Sequence, residues 1–184
     1  MLPEWLRTWQ TTPLDTAAGL RHFDSLPAVQ VSELNGDWLG SGLHTQHPLD
    51  GLLERYGWYG KAFHTPEVVD PLLFSVSGKI VRVDPARVPL GLALKMPRLA
   101  RHPVMYGLFK VLHPLIQTSR PRARLRLVVY RGATSAAMIY DHQPITDHFR
   151  RIDERHILGL MDLRGALPFF FLLSAGPPLI SITR

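Results

Sequence analysis

Seven short stretches rich in β-branched, aromatic and glycine residues follow one another, and no helical segments alternate with them. They cover residues 33–42, 57–64, 72–83, 124–131, 135–141, 156–163 and 169–174, and Ser77–Gly78 divides the third as a hairpin turn. Strand-type segments packed this closely point to an all-β barrel or sandwich and away from a parallel sheet. A closed barrel also removes the exposed strand edges that make β proteins aggregate. We therefore expect a mainly β chain with a single antiparallel barrel. At 184 residues, all of 1–184 is expected to form one domain, with halves at 33–90 and 120–176.

Two helical regions frame this pattern. Residues 1–27 read as a helical lead-in, with Thr12 as cap, Pro13 at the first helical position and Leu14, Ala17, Leu20 and Phe23 following. The second region is an insert. Val104, Leu108, Val111, Leu112 and Leu115 fall at i, i+4, i+7, i+8 and i+11, a helical stripe that Pro114 is expected to end or kink. The stripe is expected to pack on the barrel or close one end of it. Lys95, Arg98, Arg101 and Lys110 flank or punctuate it, and a basic amphipathic helix is also suited to peripheral contact with an anionic membrane.

Charge is uneven. The formal net charge is +6, and no Asp or Glu occurs between Pro85 and Tyr140. Such a field favours acidic ligands or anionic lipid. The strand 122–131 alternates, with Arg122, Arg124 and Arg126 on one face and Ala123, Leu125, Leu127 and Val129 on the other, so the apolar face should meet the core. Without stacking aromatics among these arginines, no nucleic-acid partner is expected. There is no cysteine, which excludes disulfides, thiolate metal sites and cysteine nucleophiles. The start MLPEWLRTWQTTPLD has no basic segment followed by an apolar run, and a cytoplasmic location is expected.

The motif Gly36–Asp37–Trp38–Leu39–Gly40 is followed by His47–Pro48–Leu49–Asp50–Gly51 and Trp58–Tyr59–Gly60–Lys61–Ala62–Phe63. This half resembles the bacterial GXWXG-motif family of unknown function. The second half, through Ala123–Arg124–Leu125–Arg126, Tyr130–Arg131–Gly132, residues 135–141, Pro144–Ile145, Asp147–His148–Phe149–Arg150, Gly159–Leu160–Met161–Asp162 and residues 169–173, resembles the DUF4334 family. Gly36 and Trp38 are also similar to the first-strand motif of lipocalins and related calycin barrels. That resemblance implies a Trp plugging the closed end beneath a basic side chain, for which Arg131 and Arg150 are candidates. The spacing Gly36–Trp38–Gly40–Gly42 is similar to nitrobindin-like haem barrels, although the segment after it differs.

A barrel of this size either packs solid or holds one small ligand. The leading expectation is a carrier or sensor of a small hydrophobic, fatty-acid-like molecule in an enclosed pocket of a few hundred Å³. Phe63, Leu73, Met138, Tyr140, Met161 and Phe170 are the expected wall, with Arg126 available to an acidic head group. Gly36, Trp38 and Gly40 are expected to be structural. The alternative is a haem protein or an enzyme in the same cavity, with His156 as the best candidate ligand and Asp141, His142, Asp147 and His148 as titratable groups at a strand end and its loop. Ser135 and Ser174 lack a nucleophile-elbow setting. No catalytic residue, metal site or cofactor is assigned.

Overall fold

The computed structural model describes residues 2–179. Two helices lead the chain, α1 (Glu4–Thr11) and α2 (Thr16–Ser25). The Asp15 carboxylate, not Thr12, caps the second by accepting from the Ala18 amide at 2.6 Å. A 3₁₀ turn (Val31–Leu34) leads into β1 (Gly36–Leu43), and one helical turn, α3 (Leu52–Arg55), precedes β2 (Trp58–Thr65). Then come β3 (Val68–Val76) and β4 (Lys79–Arg82), joined at Ser77 and Gly78, whose φ values of 51° and 77° are those of the tight hairpin turn expected there. The insert holds α4 (Leu90–Lys95), α5 (Pro97–Ala100) and α6 (Pro103–Ile116), with Pro114 inside its last turn. The chain closes with β5 (Ala123–Tyr130), β6 (Ala133–Tyr140), β7 (Ile145–Asp153), β8 (His156–Leu163) and β9 (Phe169–Ala175).

The strands run β2-β1-β9-β8-β7-β6-β5-β3-β4, and β2 also pairs with β3. Eight strands therefore close an antiparallel barrel, with short β4 alongside β3. The joints are unequal. β5 and β6 pair along their whole length, whereas β3 and β5 share one pair, Val69 opposite Ala123. Where β3 continues past that pair, β4 replaces β5 as its neighbour, and the insert leaves from β4 and returns to β5. Its ends are pinned by a bridge between Val83 and Gln117 and by the Asp84 amide donating to Ile116 O at 2.8 Å.

β7 is a strand where the sequence pattern points to a loop. Its charged run TDHFRRID hides the strand in the sequence, and Asp147, His148, Phe149 and Arg150 are all buried because both faces of β7 are covered. Inward Asp147 and Phe149 alternate with outward His148 and Arg150. His148 stacks on Tyr130 at 3.7 Å, and the Arg150 guanidinium lies 4.7 Å from the Phe23 ring.

Two apolar cores result. The larger fills the barrel and contains Trp38, Phe63, Met138, Phe149, Phe169 and Phe171. The smaller lies outside the sheet, where α1 and α2 cover β1, β8 and β9 with Leu6, Trp9 and Phe23 against Leu158, Leu160 and Phe170. The α6 stripe does not pack. Val104, Leu108, Val111, Leu112 and Leu115 are all exposed, and the helix instead presents Phe109 and Ile116 to the barrel.

Candidate functional site

Trp38 and Gly40 explain the glycine–tryptophan motif locally. Trp38 is buried, and its indole N–H donates to Leu34 O at 2.7 Å, tying β1 to the turn before it. A Cβ on Gly40 would lie 2.4 Å from the Trp58 ring, so the missing side chain is the space that Trp58 occupies. Gly36 adopts φ 117°, a conformation open to glycine. The expected basic cover over Trp38 is not formed by either candidate. Arg131 pairs with Asp24 at 2.6 Å, and Arg150 donates to Phe149 O and Tyr130 O on the outer side of the sheet.

Trp58 begins the wall of an inner cavity of about 90 Å³. Phe74, Ile145, Met161, Phe169 and Phe171 continue that wall, and Pro85, Val88 and Leu90 of the insert join it. Four polar residues also line this space: Gln143, which donates to Pro85 O at 3.0 Å, and a linked set of Lys61, Asp147 and Tyr140. The Lys61 ammonium lies 2.8 Å from Asp147 Oδ2, and both side chains are almost fully excluded from solvent. Lys61 also donates to Pro71 O at 3.1 Å and to the Tyr140 hydroxyl at 3.3 Å. The Tyr140 hydroxyl in turn donates to Asp147 Oδ2 at 3.4 Å. The rings of Phe171, Trp58 and Tyr140 lie 5.0, 5.7 and 5.7 Å from the ammonium, within cation–π range.

A bulge aims Lys61 inward. Strict alternation from Trp58 would turn residues 60 and 62 into the barrel and Lys61 out. The β2–β3 register shifts between Trp58 and Gly60 and again between Gly60 and Ala62, so Trp58 and Lys61 both reach the cavity. Gly60 permits this: its φ is 142°, and a Cβ there would lie 1.9 Å from Trp38 O.

Burial raises the Asp147 carboxyl above its ordinary range, against the opposing pull of Lys61. Burial and the neighbouring Asp147 push the Tyr140 phenol well up. One oxygen of the set is unsatisfied. Asp147 Oδ1 is buried and has no hydrogen-bond partner. Leaving such an acceptor bare costs about 1–3 kcal/mol, and more when it is charged.

Of the expected wall, Tyr140 and Met161 line the cavity. Met138 is buried in the same core without reaching it. Phe63 lines an open cleft of about 500 Å³ at the other end of β2, with Val31, Asn35, Thr65 and Pro66. Phe170 is a correction. It faces outward against Trp9 at 5.2 Å, and Phe169 and Phe171 take the inward places. Leu73 is likewise replaced on the wall by its neighbours Leu72 and Phe74. Arg126 stands outside the barrel, paired with Glu67 at 2.7 Å. The Arg face is external throughout: Arg122 reaches Asp84 and Arg124 reaches Asp141, each at 2.7 Å. The apolar face of β5 is buried at Ala123 and Leu125 but reaches solvent at Leu127 and Val129.

The titratable cluster read from sequence is split by the sheet. Asp147 points inward, while Asp141, His142 and His148 do not. His156 sits at the β7–β8 turn, its Nδ1 2.7 Å from Asp153. His47 is buried, with Nε2 3.2 Å from Leu167 O and its ring beside Phe169, which lines the cavity. Haem does not fit this geometry, because the inner space is too small for a macrocycle and His156 is engaged elsewhere. Among the described residues no group of three His, Cys, Asp or Glu side chains is placed to hold a metal. Also among them, no helix is long and apolar enough to cross a membrane.

Fold and site together define a closed, lipocalin-like antiparallel β-barrel with a buried polar triad in its apolar interior. Residues 21–78 match the GXWXG protein family, and residues 121–174 match a domain of unknown function, DUF4334. A crystal structure of a protein from Thermomonospora curvata is 30% identical, with a TM-score of 0.66 over 90% of each chain. The chain belongs to this GXWXG–DUF4334 family. No curated protein matches it.

Proposed function

We propose that the barrel binds one small, mainly apolar molecule carrying a single hydrogen-bond donor, seated in the inner cavity against Asp147. The bare, buried Oδ1 of Asp147 carries this reading. A ligand hydroxyl or N–H would satisfy it, while the aromatic wall would hold the rest of the molecule. The site favours a donor over a carboxylate. Lys61 already has its counter-ion, and a second anion beside Asp147 would meet a like charge. Arg126 cannot supply the missing cation from its outer position. A long acyl chain also exceeds about 90 Å³, so the fatty-acid form of the carrier reading gives way to a compact alcohol, phenol or amine.

Phenol and benzoate, of similar size, separate the two kinds of head group. After solvent extraction of the protein, phenol should raise the melting temperature in a concentration-dependent way and benzoate should not. Asp147→Asn should abolish the difference, and Met161→Trp should block binding by filling the space. A barrel that ignores phenol, or that prefers benzoate, would overturn this reading.

A further inference from the structure

A helix that packs one apolar side on its own fold and leaves a second in water is shaped to meet something else. α6 (Pro103–Ile116) is such a helix. One side, with Phe109 and Ile116, packs on the barrel, where Phe109 meets Tyr56 at 5.1 Å and Phe74 at 5.6 Å. The other carries Val104, Leu108, Val111, Leu112 and Leu115, which share an arc of about 100° at 100° per residue. Val104, Val111 and Leu115 are 67%, 73% and 66% exposed. Leu92 of α4, Met96 between α4 and α5, and Leu99 of α5 are exposed as well. Together these are eight of the thirteen exposed large hydrophobics among the described residues, gathered in one insert. A patch so concentrated marks an interaction surface.

Charge identifies what covers it. Exposed Lys95, Arg98, Lys110 and Arg120 are interleaved with or follow these apolar residues, and no acid lies between Asp84 and Asp141. A basic, acid-free stretch that carries an exposed apolar face matches the interface of an anionic bilayer, which attracts Lys and Arg. α6 has 14 residues, about 21 Å of helix, too short to cross a hydrocarbon core of about 30 Å. Its geometry is that of a helix lying in the membrane plane.

We infer that residues 90–116 form a membrane-docking element that seats the barrel on anionic lipid surfaces, with the outer side of α6 immersed among the acyl chains. This stands independently of the barrel's ligand. The same insert contributes Leu90 to the inner cavity, so the docked face adjoins the cavity wall.

The test is co-sedimentation of the full chain with vesicles of phosphatidylcholine alone or mixed with phosphatidylglycerol. The protein should pellet with the mixed vesicles, weakly with phosphatidylcholine, and less as salt rises. The triple variant Val104→Ser/Val111→Ser/Leu115→Ser should bind the mixed vesicles at least about tenfold more weakly. Its melting temperature should stay near that of the parent, because all three residues are exposed. Lys95→Gln/Lys110→Gln should weaken binding to the anionic vesicles and leave the residual binding to phosphatidylcholine unchanged. Wild-type protein that stays in the supernatant, or a triple variant that pellets undiminished, overturns the inference. So does a dimer in light scattering that the triple variant dissolves without any vesicle binding, which would assign the face to a second copy of the chain.

Discussion

Two helical regions pack on one barrel, and they treat their apolar surfaces in opposite ways. The leading pair, α1 and α2, buries Leu6, Trp9 and Phe23 completely against β8 and β9 and fastens its edge with Asp24 to Arg131. The insert places α6 on the barrel through Phe109 and Ile116 and leaves a second apolar side in solvent. The first region is core in the ordinary sense, held by area removed from water. In the second, apolar surface is kept where it adds nothing to the isolated fold. Stability and exposure are therefore assigned to different helices, and substitutions should separate them.

The largest effect is expected at Trp9. It is buried, contacts Phe170, and donates its indole N–H to His44 O at 2.9 Å. Trp9→Ala should cost about 3–5 kcal/mol in urea unfolding, as large aromatic truncations in cores do. A loss below about 1 kcal/mol would break the contrast by showing that the leading helices are no more integral than the insert.

His148 gives a smaller, pH-dependent effect, stacked on Tyr130, which itself packs against Phe23 of α2. Burial, and then the nearby Arg150, bring its pKa down from 6.5 to about 4. The native state therefore binds fewer protons than the unfolded chain. Its contribution is complete above pH 6.5 and is lost as pH falls toward 4, at up to about 1.4 kcal/mol per pH unit. His148→Phe keeps a ring against Tyr130 and removes the titration. Comparing the two stabilities from pH 7 to 4 should show the variant losing less, and parallel curves would reject the assignment.

The smallest effect belongs to the insert. Val111→Ser should change stability by no more than about 0.5 kcal/mol, as exposed substitutions usually do. A cost of 2 kcal/mol or more, on the order of a core truncation, would mean that the exposed side packs in solution and would erase the contrast.

Much of the fold is legible in the sequence, and what is not has physical causes. The barrel, the hairpin at Ser77–Gly78 and the external Arg face follow from period-two patterns and turn chemistry. Phe169, Phe170 and Phe171 defeat such reading because three adjacent aromatics carry no alternation, so the outward Phe170 looks like its inward neighbours. Lys61 was hidden more deeply. A bulge breaks the period between Trp58 and Lys61, and the repeated glycines of the segment are the only local sign of it. The α6 stripe is legible as a stripe, yet it faces solvent and not the barrel, because periodicity finds an apolar face without saying what it meets.

The unequal joints of the barrel carry a consequence for its motions. Along β5–β6 an opening must break a full ladder, whereas β3 and β5 are held mainly by the Val69–Ala123 pair and by the Arg122 and Leu125 amides donating to Val69 O and Pro66 O. Local unfolding follows the weakest hydrogen-bonded boundary. Amide exchange should then report the lowest opening energy along this line, with Arg122 and Leu125 losing protection before the amides between β7 and β8. The same line is where the insert begins and ends, pinned at Val83 and Gln117. A pull on the insert is therefore a pull on the barrel's zip, and the wall of the inner cavity parts along the strand pair with the fewest stitches.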